Sequence, residues 1–109
     1  MNHQYQLTDQ NEFAFTARCG RTSRLQLGFG NITLLMQEHE FTRLLSQVDD
    51  TFRHCSESEG CCPCCRNIIV ETSVKNMVFS FSLYELELLL EVMQQTHMLL
   101  EANHIVNPN

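Results

Sequence analysis

Polar and apolar residues alternate from Glu12 to Ala17, with Phe13 and Phe15 two apart. A period of two is the mark of a half-buried strand. Arg24–Phe29 repeats it, with Leu25, Leu27 and Phe29 on one face. Gly28-Phe29-Gly30-Asn31 then supplies Gly and Asn, which tolerate positive φ as a tight hairpin requires. Ile32, Leu34 and Met36 predict a third strand. From Glu38 the period changes. Phe41, Leu44, Leu45, Val48 and Phe52 fall on one stripe at helical spacing, which predicts a helix over Glu38–Arg53 with Asp49, Asp50 and Arg53 on its wet side.

A polar breaker, Ser56–Gly60, follows this helix and leads into Cys61-Cys62-Pro63-Cys64-Cys65. Arg66–Glu71 and Asn76–Phe81 predict a second strand pair, joined by Thr72-Ser73-Val74-Lys75. Ser82 with Glu85 three residues on is a capping-box signature for a second helix over Leu83–Ala102.

Shifting the chain by 45 positions lays Asn31-Ile32-Thr33-Leu34 over Asn76-Met77-Val78-Phe79, Glu40 over Glu85, and Leu44-Leu45 over Leu89-Leu90. Cys19 and Arg21 fall on Cys64 and Arg66. Apolar period alone does not demand the shared Asn, the shared Glu or the Cys-x-Arg. The pattern therefore reads as a duplicated β-hairpin-plus-helix unit, two copies of which cover each other's apolar faces. The expected fold is α+β: an antiparallel sheet with both helices on one face and Glu12–Ala17 as an added strand. Residues 1–109 make one domain, with a polar arm over 1–11, a first half over 12–54, a Cys-rich loop over 55–65 and a second half over 66–104.

The second helix is more apolar than one sheet face needs. Leu88, Val92 and Leu99 form an extra row, where the first helix has Arg43, Gln47 and His54. That asymmetry points to a homodimer through the second helix. Packing against the first helix is the plainer alternative.

A chain of 109 residues supports one core rather than two. The net charge of -6, with Lys and Arg scattered, disfavours a nucleic-acid surface, whose affinity depends on concentrated positive charge. No apolar run reaches the roughly 20 residues that span a bilayer, and Met1–Asn11 lacks the features of a secretory signal. A cytoplasmic location follows as an expectation, and there six cysteines are reduced thiols or metal ligands rather than a disulfide framework.

Cys61-x-x-Cys64 and Cys62-x-x-Cys65 are overlapping pairs at a spacing that lets two thiolates reach one tetrahedral zinc. Under the repeat, Thr16 and Cys19 superpose on Cys61 and Cys64, as though two knuckles once faced each other. The candidate metal set is Cys19, Cys55, Cys61 and Cys64, with His54, Cys62 and Cys65 as other sources of a fourth ligand. A metal-free thiol loop and a reversible dithiol–disulfide switch stand beside zinc. A thioredoxin-type catalyst is disfavoured, because its C-x-x-C opens a helix and here a strand follows.

His39 and Glu40 could form a catalytic pair, but a carboxylate in the first helical turn is favoured by the helix dipole alone. His97 takes the place of Phe52 and reads as a packed core histidine. Ser80 and Ser82 lack a companion His and Asp at a recognisable spacing, and Gly28-x-Gly30 lies in a hairpin rather than before a helix. No enzyme motif remains.

Leu27-Gly28-Phe29-Gly30-Asn31-Ile32, Glu40-Phe41, Arg66-x-Ile68 and Phe79-Ser80-Phe81-Ser82-Leu83-x-Glu85-Leu86 together resemble a family of short uncharacterised bacterial proteins, chiefly from Bacteroidetes, over residues 16–100. The resemblance implies a C-x-x-C-G knuckle before the first hairpin, where Thr16 here replaces the leading cysteine. It implies no mechanism. The sequence thus supports a non-enzymatic protein-interaction domain, homodimeric and with a candidate structural zinc, or alternatively a thiol-dependent metal or redox sensor.

Overall fold

The computed structural model describes residues 5–22, 24–58 and 64–106. Strands β1 (Tyr5–Gln10), β2 (Ala14–Cys19), β3 (Leu25–Phe29) and β4 (Ile32–Met36) precede helix α1 (Glu38–Ser56). Strands β5 (Ile68–Glu71) and β6 (Val78–Phe81) precede helix α2 (Leu83–Val106). The fold is α+β, and each strand pairing is antiparallel.

The strands divide into two sheets rather than the one expected: a meander in the order β1-β2-β3-β4, and the hairpin β5-β6. The rings explain the division. Phe29 on β3 lies 5.1 Å from Phe79 and 5.2 Å from Phe81, centroid to centroid, and Phe13 reaches both Phe29 and Phe81. The hairpin therefore meets the meander through its side chains, over the core, and not edge to edge beside β4. The two hairpins also close differently. β3 and β4 are joined by Gly30-Asn31, with Gly30 at φ 58°, whereas β5 and β6 are joined by a longer loop in which Asn76 takes φ 63°.

Tyr5–Gln10, expected within a polar arm, is a strand. Its own pattern carries no apolar period, and its order comes from pairing with β2, interrupted by a bulge between Leu7 and Asp9. Asn11 makes the turn into β2. Its Oδ1 accepts the N–H groups of Phe13 and Ala14, and its Nδ2 donates to the Leu88 carbonyl at 2.8 Å.

Helix α2 is the centre of the molecule, in contact with α1, β1, β2 and β6. A helix enclosed on several sides needs apolar residues on several sides. Leu86, Leu89 and Met93 are buried, and so are Leu88 and Val92, the latter 1% exposed. Thr96, one helical turn beyond Val92, is hydrogen-bonded to Thr16 of β2, and both side chains are fully buried. Leu88, Val92 and Thr96 thus form the row that covers the meander. They do not make the exposed strip expected for self-association; of that row only Leu99 stays at the surface, 46% exposed.

His97 also departs from expectation. It is half-exposed, 3.6 Å from the carboxylate of Glu101, because its position on α2 turns away from the core that Phe52 of α1 packs against. No helix among the described residues is long and apolar enough to cross a membrane.

Candidate functional site

Three places hold the residues that the sequence singles out, and a fourth is formed by the fold alone. The first is the start of each helix. Glu40 accepts the Gln37 N–H at 2.8 Å, and Glu85 accepts the Ser82 N–H at 2.9 Å while its own N–H donates to Ser82 Oγ at 3.1 Å. Glu40 and Glu85, equivalent under the repeat, therefore do the same work of satisfying an N-terminal amide. Beside Glu40, His104 Nε2 lies 2.5 Å from Glu38 Oε1, joining the last turns of α2 to the start of α1.

The second is Arg66, which leads out of the cysteine loop. Its Nε–H and Nη2–H donate to Glu85 at 2.9 and 2.7 Å, a two-pronged pairing. The Arg66 hydrogen bond is the main reason that the Glu85 carboxyl sits below its usual range, with burial opposing and Ser82 adding to it. The loop's exit is thereby pinned to the N-terminus of α2.

The third is the cysteine set. Cys64 and Cys65 are exposed, Cys55 is half-buried near the end of α1, and Cys19 is buried in β2. Cys61, like Cys62, lies outside the described residues. Thr16 and Cys19 point to opposite faces of a strand, and the Cys19 N–H donates to the Arg24 carbonyl at 3.0 Å. That segment is ladder and not the knuckle turn the repeat suggested. Among the described residues, no three His, Cys, Asp or Glu side chains are placed to hold one metal ion.

The fourth is a groove of about 660 Å³ between β4, α1 and the β5–β6 hairpin. Leu34, Met36, Leu44 and Met77 give it an apolar lining, and Glu40, Arg43 and Glu71 bring charge. One wall is the outer edge of β4. The two-residue turn at Gly30-Asn31 makes Phe29 and Ile32 a hydrogen-bonded pair, so Ile32, Leu34 and Met36 direct their backbone groups to β3. The N–H and C=O groups of Thr33 and Leu35 point the other way, off the outer edge of the sheet, and Leu35 borders the groove. Leu35 is 58% exposed. The available signal in the sequence was the run Leu34-Leu35-Met36, in which a leucine occupies the position that period two assigns to solvent.

Fold and site together define a small α+β domain with an open strand edge and with Arg66, after the cysteines, held to the start of α2. The chain belongs to the family of unknown function DUF6686, whose model matches residues 1–107. No curated protein and no solved structure matches it.

Proposed function

We propose that this chain is a non-enzymatic protein-interaction domain that docks its partner along β4 and the adjoining groove. The observation that carries the reading is the contrast between the two edges of the meander. β1 is polar and bulged at Leu7/Asp9, devices that spoil an edge for further pairing. β4 is regular, five residues long and free of charge, Ile-Thr-Leu-Leu-Met. An extended segment laid along such an edge gains main-chain hydrogen bonds, while pockets beside it select alternate side chains. A photo-crosslinking residue at position 35, expressed in the native cell, tests this. Adducts at 35 that are missing with the same residue at position 7, on the bulged edge, support it; their absence at 35 sinks it.

Support for a second reading, a thiol-dependent metal or redox sensor, comes from Cys64 and Cys65, adjacent and exposed just before the anchored Arg66. Zinc held by Cys55, Cys61 and Cys64 with Cys19, Cys62 or Cys65 belongs to the same proposal. Elemental analysis of tag-free protein with thiol titration decides between them. About one zinc per chain, released only by a chelator, favours a structural metal. Metal-free protein whose thiols cycle reversibly between oxidised and reduced forms favours the sensor.

A further inference from the structure

We infer that the occupant of the β4 edge is a second copy of this chain, paired β4 to β4 about a two-fold axis at Leu34. The inference rests on the docking reading above and adds the identity of the partner. Two features carry it: strand register and charge.

The outward backbone groups belong to Thr33 and Leu35. In an antiparallel self-pairing centred on Leu34, Thr33 of one copy faces Leu35 of the other, and each pair exchanges two hydrogen bonds. The whole of β4 is then used, and all of its outward groups are met by outward groups. The same register aligns Ile32 with Met36 of the second copy on the inner face, so the half-buried apolar row of one meander continues into the next. Because neighbouring strands sit about 4.8 Å apart, each β4 enters the groove of the other copy. Leu35, the exposed apolar residue of the strand, gains cover there.

Charge agrees. Among the described residues, the groove carries one cation, Arg43, and two carboxylates, Glu40 and Glu71. Arg43 and Glu71 make no ion pair with other described residues. A rim of mixed sign is complementary to its own two-fold mate, since each copy offers carboxylates to the other's unpaired guanidinium. A uniformly basic or acidic partner would satisfy one sign and bury the other unpaired. The strand between the charges is itself neutral, so no like charges face each other across the paired backbone.

The test is mass in solution by light scattering over a concentration series, for the unmodified chain, Leu35→Pro and Leu35→Lys. Proline removes one outward N–H and leaves the β3 ladder intact, and lysine places a charge on the edge. The unmodified chain is expected at twice the chain mass, with either variant halving it at unchanged circular dichroism, while Leu7→Lys on β1 has no effect. In the unmodified protein, amide exchange at Thr33 and Leu35 should slow as concentration rises, a readout independent of any variant. A chain of single mass at every concentration, or a dimer with concentration-independent exchange at Thr33 and Leu35, overturns the inference. Crosslinks at position 35 to a different protein would overturn it too, while leaving the docking reading standing.

Discussion

The ring of Phe15 lies across Gly28, its partner on the neighbouring strand, so that a β-carbon at Gly28 would overlap Phe15 Cε1. Glycine in a strand interior is a weakness, and a cross-strand aromatic ring covers it. Gly28→Ala should therefore cost about 1–3 kcal/mol through overpacking. In a Phe15→Ala background the same change should be neutral or slightly stabilising, because the clash is gone and a flexible residue has been replaced. Urea denaturation of the four proteins of this cycle gives the coupling. Equal costs in both backgrounds would show that the ring is not the obstacle.

Thr16 and Thr96 are each other's buried partners across the interface of β2 and α2. Thr96→Val should leave the Thr16 hydroxyl buried without its partner and cost about 1–3 kcal/mol. Replacing both by Val should recover part of that loss, since two apolar groups of the same shape strand no donor. A double variant less stable than the sum of the singles contradicts this account.

The Arg66–Glu85 pair makes stability depend on acid. The Glu85 carboxyl is depressed in the folded chain, chiefly by Arg66, against an unfolded value of about 4.3. Its contribution is then present above that unfolded value and lost as pH falls through the lower folded one. Glu85→Gln should weaken the protein clearly at neutral pH and progressively less toward pH 3. A cost that does not change with pH would mean that the cap to Ser82 acts without the charge.

Burial separates the apolar row of α2 into two kinds of position. Val92→Asp should unfold the chain, because it places a carboxylate among buried residues under the meander. Leu99→Lys should change the melting temperature little and leave the oligomeric state untouched. Dissociation of a folded dimer by Leu99→Lys would restore this helix as an interface.

Much of the fold could be read from local periods. Helix α1 begins at Glu38 and α2 at Leu83 as their apolar stripes and capping signals indicate, and Gly30 makes the turn between β3 and β4. β1 could not be read this way, because Tyr5–Gln10 owes its strand to β2 and not to its own pattern. Nor could the burial of Leu88 and Val92. Counting apolar residues shows that α2 has a second face, but only the position of Thr16 opposite Thr96 says what covers it. Thr16 and Cys19 misled for a related reason: a spacing of three is a knuckle on a turn and merely opposite faces on a strand. The groove arises where two hairpins stop short of forming one sheet, and no local pattern records that.

Helix α2 carries a cost during synthesis. Its partner on β2 lies 80 residues earlier in the chain, so the meander leaves the ribosome long before the helix that will cover it. Until then the apolar face of the meander and the unprotected β4 strand are both open to neighbouring nascent chains. Pairing at β4 before α2 docks would join two unfinished molecules through the edge proposed above for the finished ones.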